Sequence, residues 1–182
     1  MGKNLAACIE TPRLMIRAAT KDECEALQRI CNAGSYIAEW TGDMPASDHI
    51  ATCLSEGDLP PVRNADLARY ALKSIYLKAT MEIIGYVDLY HGYPDDDTLW
   101  LSMLMIHPDY QRQSYGQEIV TVLTAEAKQS GYHSFGIGVH LKNWPALRFW
   151  VKHGFSEITG IYGDRIIADG AFALVGLRKV LA

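Results

Sequence analysis

Several features that would assign a function at once are missing from this 182-residue chain. No run approaches the ~18 consecutive apolar residues of a membrane helix. No signal-peptide h-region follows the start, so neither insertion nor export is expected. Met1-Gly2 opens like a myristoylation signal, but Ala6 stands where Ser or Thr is needed. Basic residues are not in excess: 17 Lys and Arg face 21 Asp and Glu, for a formal net charge of -4. That balance argues against a general nucleic-acid binder. The four cysteines, Cys8, Cys24, Cys31 and Cys53, include no CxxC pair. Neither a zinc site nor a disulfide framework is expected, and free thiols fit a reducing cytoplasm. No metal is expected at Asp95-Asp-Asp97 either, since the spaced EF-hand pattern is absent. No internal repeat or inter-domain linker is visible.

What is present reads as a mixed α/β layer fold with one central sheet. Residues 1–11 read as a loose N-terminus and 12–182 as one domain. Arg13–Ala18 reads as a strand. Thr20-Lys-Asp-Glu23 is a capping box opening a helix that buries Leu27, Ile30 and Cys31. Gly34–Pro45 is a turn-rich link holding Tyr36, Glu39 and Trp40, and a second helix spans about Ser47–Gly57. The adjacent prolines at 60 and 61 then impose an irregular loop. Tyr70–Lys78 and Glu82–Tyr90 form a hairpin, with Ile84, Tyr86, Asp88 and Tyr90 on one face. Leu99–Ile106 is almost continuously apolar, as in a strand buried on both sides. Tyr115–Ser130 is an amphipathic helix, Phe135–Leu141 a strand, and Asn143 caps a short helix ending at Gly154. Two last strands lie near Phe155–Tyr162 and Ala171–Val180.

The chemistry concentrates at Leu104–Gln117. An apolar strand runs through a Pro-containing turn into a polar loop and a helix N-terminus, where unpaired N–H groups suit an anion such as a pyrophosphate. The loop is neither a P-loop nor a dinucleotide fingerprint, because Gly-Lys-Ser/Thr and the spaced glycines are lacking. An ordinary strand-to-helix turn accounts for the same pattern, and a nucleotide- or phosphate-binding domain stays open.

Two stretches point further. Gln111-Arg-Gln-Ser-Tyr-Gly116 resembles motif A of the GCN5-related N-acetyltransferase (GNAT) superfamily, written Gln/Arg-x-x-Gly-x-Gly/Ala. Asn143-x-x-Ala146, leading through Trp150 to Gly154-Phe155, resembles motif B. Thr11-Pro-Arg-Leu-Met-Ile-Arg17 is similar to the opening strand of many members. The order of elements matches over about residues 12–180.

The resemblance implies a mostly antiparallel sheet of six to seven strands flanked by about four helices. It implies an acetyltransferase that uses acetyl-coenzyme A and no metal. Pyrophosphate would rest on the loop Gln111, Arg112, Gln113, Ser114, Tyr115, Gly116 and Gln117. Pantetheine would pair with Leu104, Met105 and Ile106 while the neighbouring strands splay, and a backbone N–H near Leu104 or Met105 would polarise the thioester carbonyl. Asn143 would touch the pantetheine arm, or serve simply as an N-cap. The acceptor would be an amine on a small molecule or protein, with no nucleic acid or membrane partner, and a homodimer is compatible with the family.

Three positions depart from the pattern. Ser114 replaces the first motif glycine, which is costly if φ is positive there. Trp150 stands where a Tyr often protonates the departing thiolate. The strand Leu99–Ile106 carries no carboxylate, whereas some members place a glutamate base there. Asp88, Tyr90 and His140 are the candidate stand-ins for acid or base, with Tyr162 behind them, though each also reads as a structural residue. His107, beside Pro108, reads as a turn residue. A non-catalytic acyl-coenzyme A-binding module of the same fold therefore stays open beside the enzyme.

Overall fold

Short polar turns join apolar runs of alternating pattern, and the chain folds back on itself strand by strand. A computed structural model describes residues 3–166 and 168–181. The strands are β1 (Cys8–Glu10), β2 (Leu14–Ala18), β3 (Tyr70–Leu77), β4 (Glu82–His91), β5 (Thr98–Ile106), β6 (Ser134–His140), β7 (Glu157–Gly163) and β8 (Ala173–Val180). The helices are α1 (Cys24–Ala33), α2 (Ala38–Thr41), α3 (His49–Ser55), α4 (Tyr115–Gln129) and α5 (Trp144–Lys152).

Among the described residues the sheet has eight strands, in the order β1-β2-β3-β4-β5-β6-β8-β7, where six to seven were expected. Every neighbouring pair is antiparallel except β5 with β6. The extra strand is β1, in the segment expected to be loose. Ile9, opposite Ile16, is 2% exposed, and a single buried side chain leaves no periodicity to read. Met1 and Gly2, with their apparent acylation signal, lie outside the described residues. The link at 34–45 also contains the one-turn helix α2.

The two faces of the sheet carry separate cores. On one, α4 and α5 cover Ile16, Ile75, Val87, Leu89, Leu101 and Phe135. On the other, α1 and α3 cover Leu72, Tyr86 and Met105 with Leu27, Ile30, Ile50, Cys31 and Cys53. Ile84 does not share the face of Tyr86 as the alternation predicts. The register skips it between Ile75–Gly85 and Tyr76–Ile83, so this bulge residue joins the α4 side. Gly85 follows because a Cβ there would lie 2.4 Å from Met105 O. No described helix is long and apolar enough to cross a membrane.

The capping box forms as the spacing predicts, and Glu23 then does more than cap. It accepts from Thr20 N–H at 3.1 Å and Ser74 Oγ at 2.6 Å, and also bonds Tyr76 and Arg17. Burial pushes its carboxyl up, but these donors outweigh it and hold the group below its usual 4.5. A lowered folded value stabilises the protein above about 4.5, and that contribution fades as pH falls through the folded value. Glu23→Gln is expected to cost about 1–3 kcal/mol in urea unfolding at neutral pH, and to flatten the acid limb of stability against pH.

Candidate active site

The parallel pairing stops early. Thr98–Leu101 pair with Ser134–Ile137, and no further β5–β6 pair follows among the described residues. Beyond Leu101, β5 stays with β4 and β6 stays with β8, so the two strands part. The parting coincides with a second bulge: Asp88 faces Met103 and Leu89 faces Leu101, leaving Ser102 as the extra residue. Residues 102–104 are consequently half-buried, not enclosed on both sides as their apolar run predicts.

Alternation decides which backbone groups line the opening. His107 N–H donates to Ile84 O at 2.8 Å, so the amides of Met103 and Met105 also point to β4. Those of Leu104 and Ile106 point into the gap. Met105 is thus the exception in the expected cradle: its backbone serves β4, and its side chain packs beneath α1.

The loop that follows is held from several sides. Among the described residues, no protein acceptor receives the backbone N–H of residues 112–117; the first amide of α4 to pair back is that of Glu118, on Ser114 O at 3.1 Å. Arg112 has φ +61 and Ser114 φ +65, both left-handed and both non-glycine. Such residues cost about 1–2 kcal/mol each. The Ser114 side chain makes no cap bond, so its hydroxyl is not used by the helix. Gly116 is less constrained: a Cβ would meet Phe149 at an ordinary 3.4 Å.

Sequence reasoning missed two braces. Glu118, in the first turn of α4, accepts from Arg13 Nε at 2.7 Å and Arg13 N–H at 3.1 Å, and from the Thr11 hydroxyl. Arg13 also donates to Gln113 O at 3.0 Å and lies 4.3 Å over the Tyr115 ring. Burial raises the Glu118 carboxyl, and the bonds from Thr11 and Arg13 more than offset this, leaving it lowered. An acidic residue in the first turn of a helix was the available signal. The second brace is Gln111. Its Nε2 donates at 2.8 Å to Ile106 O and at 2.8 Å to Tyr36 Oη, so the side chain clamps the loop instead of facing the gap.

The remaining predicted site residues separate. Asp88 is 0% exposed and neither carboxyl oxygen has a hydrogen-bond partner. Burial pushes it up to about 7, Asp58 adds to the rise, and Ser102, Tyr70 and the Met103 amide pull the other way. Tyr90 is buried with its hydroxyl accepting from Asp66 N–H at 2.9 Å, a structural use. His140 ends β6 half-buried with Nδ1 unpartnered; burial lowers it, against the charge of Asp43. Asn143 accepts from Ala146 N–H at 3.1 Å, the N-cap alternative. Trp150 is 7% exposed and packs edge-on against Phe155 with centroids 5.0 Å apart. Tyr162 lies instead on edge strand β7, in a groove of about 760 Å³ with Leu141, Trp144, Ile161 and Ile166. His107 Nδ1 accepts from Asp109 N–H at 3.3 Å, a turn role.

Residues 32–155 match the model of the acetyltransferase (GNAT) family. No curated protein matches the chain in sequence. Solved structures share its fold. An acetyltransferase from Thermus thermophilus is 22% identical, with a TM-score of 0.71 over 93% of this chain and 97% of that one. A GNAT-family acetyltransferase from Bacillus anthracis is 15% identical, with a TM-score of 0.72 over 96% and 98%. The protein yncA from Salmonella typhimurium, solved with its cofactor acetyl-CoA, is 20% identical, with a TM-score of 0.64 over 93% and 95%.

The left-handed φ of Ser114 makes a direct test of strain available. Ser114→Gly is expected to stabilise the free protein by about 1 kcal/mol, read from the denaturant midpoint. An unchanged or lowered midpoint would show that the hydroxyl supports the fold itself.

Proposed function

The chain belongs to the acetyltransferase (GNAT) family, and on that premise we propose that it moves an acetyl group from acetyl-coenzyme A to a primary amine of a small molecule or protein, by direct attack in a ternary complex. The observation that carries this reading is the meeting of two unpaired backbone surfaces at one place. The open edge of β5 leads directly into the unpaired amides of residues 112–117.

The residues present fit the donor. The amides of 112–117, with the Ser114 hydroxyl and the N-terminus of α4, suit a pyrophosphate. Leu104 O and Ile106 N–H suit the amides of a pantetheine arm added like a short strand. The donor supplies a thioester, an acyl group activated for transfer. Leu104 N–H serves as the hydrogen-bond donor to its carbonyl oxygen, a role worth several kcal/mol elsewhere.

Asp88 is the base this reading assigns. The amine nitrogen forms the new C–N bond, the C–S bond breaks, and the amine proton passes to the Asp88 carboxylate. A carboxyl poised near neutral pH suits that task. The departing thiolate takes its proton from water. With a thiol pKa of about 8.5, an acid at Trp150 is dispensable.

A second reading, an acyl-coenzyme A-binding module without turnover, is favoured by one observation: Trp150 is packed into the core where an acid would stand. Thermal shift followed by thiol release over an amine panel separates the readings. The enzyme reading expects stabilisation by acetyl-coenzyme A and thiol release with at least one amine. Stabilisation without release across the panel favours the module. Stabilisation by ATP but by no acyl-coenzyme A contradicts both.

Asp88→Asn tests the base. Turnover is expected to fall about 10²–10⁴-fold, and the wild-type rate to rise with pH through a limb near 7. Because the folded carboxyl is raised, its ionisation costs stability as pH rises through about 7. Asp88→Asn should therefore match or exceed wild-type stability above that pH while losing activity. A variant that keeps full turnover would remove Asp88 from the mechanism.

A further inference from the structure

The sheet face turned toward α1 and α3 is covered over only part of its width. Those helices pack on Leu72 of β3, Tyr86 of β4 and Met105 of β5, and among the described residues their core takes nothing from β6, β7 or β8. Phe135, Ile137 and Val139 of β6, with Val175 and Leu177 of β8, point into the α4 core. The residues between them, Gly136, Gly138 and Gly176, therefore lie on the bare side. Gly138 is paired with Gly176, and Gly176 with Gly160 of β7. Glycine weakens a strand interior and marks places where another group approaches the backbone closely.

Two aromatic rings make that approach. Leu99 and Leu101 belong to the α4 core, so Trp100 projects onto the bare side. Its indole crosses β6: a Cβ on Gly136 would lie 2.8 Å from Cε3 and 3.1 Å from Cζ3, and one on Gly138 would lie 3.6 Å from Cζ2. Atoms spread around the six-membered ring thus meet successive floor positions, and the ring lies flat on the strand. Tyr162 extends the floor, with Oη 2.7 Å from a Cβ on Gly160 and Cε2 3.3 Å from one on Gly176. Trp100 is half-buried and belongs to neither core. Tyr93 stands against it at 88°, with centroids 5.0 Å apart. One face of the indole is taken by the glycine floor, and the other is turned outward.

This platform ends where the gap begins. Ile137 is the last residue of β6 paired with β5, and Gly138, beside the indole, is the first beyond it. Asp88 shares the face, because Val87 and Leu89 on either side of it enter the α4 core. Leu104 lies three residues past Leu101, about 10 Å along an extended strand. A body stacked on Trp100 therefore presents its amine to the thioester on a short alkyl arm. An alkyl chain covers such a plane only in part, whereas a flat ring matches it across its area and adds the attraction of offset stacking.

The geometry points to Trp100 as a specificity-determining residue whose outward face stacks with the acceptor, and to an arylalkylamine as the acceptor class. This rests on the acetyl-coenzyme A reading above and deepens it.

Matched pairs of amines test it: benzylamine, 2-phenylethylamine and 3-phenylpropylamine, each against its cyclohexyl counterpart, in thiol release with acetyl-coenzyme A. Each pair has the same arm and carbon count, and differs in whether the ring is flat. In the wild type, kcat/KM is expected to favour the flat member of at least one pair about tenfold. Trp100→Leu should bring that ratio to about one, and Trp100→Phe should restore most of it. Gly136→Ala keeps the tryptophan but pushes its ring off the floor, so it should lose the ratio too. The acetyl-coenzyme A Kd, unchanged in these variants, separates lost stacking from general damage. A readout without turnover is the Trp100 indole N–H resonance, assigned from Trp100→Phe. With coenzyme A present, it should move on adding the favoured flat amine and stay in place with the cyclohexyl one. Ratios near one in the wild type, or a ratio retained in Trp100→Leu, overturn the assignment and leave the transferase reading standing. A Trp100→Leu protein that changes its oligomeric state in light scattering and keeps the ratio makes the floor an interface between copies, which also overturns it. Thiol release with no amine at all overturns both.

Discussion

The structure turns on the place where β5 leaves β6. A parallel pair that continued past Leu101 and Ile137 would satisfy the amides of Leu104 and Ile106 and close the sheet. The parting coincides with the bulge at Ser102 on β5, and β6 carries two glycines beside it. A Cβ at Gly136 would lie 2.8 Å from the Trp100 ring, and one at Gly138 would lie 3.6 Å from it. Trp100 lies across β6 because Gly136 lacks a side chain. Strand β6 stays with β8 while β5 stays with β4. Unpaired backbone at a sheet edge is a liability unless something covers it. On the proposed reading the acyl donor is that cover.

Around that gap the chain sets opposing loads against each other. Two left-handed residues strain the loop, while Arg13 and Glu118 tie its end to β2 and Gln111 ties its beginning to β5. Glu118 holds its charge despite partial burial because three donors converge on it. Asp88 lies at the other extreme: full burial and no bonded donor leave it raised. Two carboxylates on one domain are thus pushed in opposite directions, one into permanent charge for structure, the other toward neutrality where proton transfer is useful.

Local rules made much of this legible. The Thr20–Glu23 capping box, the Asn143 N-cap, the apolar stripes of α4 and α5 and the strand-turn-helix at 104–117 all follow from neighbours a few residues apart. The family motifs placed the loop and the splay. The rest depends on distant partners. Ile9 is buried only because Ile16 faces it, Ile84 changes face only because the β3–β4 register skips it, and Gln111 turns from the gap because Tyr36, 75 residues earlier, accepts its proton. The cost of Ser114 was legible as a condition on φ, and its left-handed conformation meets that condition.

The central claim is that donor binding uses backbone amides, those of Leu104, Ile106 and residues 112–117. Amide chemical shifts on titration with acetyl-coenzyme A address it residue by residue. The account predicts large shifts at these amides, little change at Met103, whose amide faces β4, and none along the exposed edge strand β7. Shifts centred on the groove around Trp144, Ile161 and Tyr162, with residues 112–117 unmoved, would contradict it.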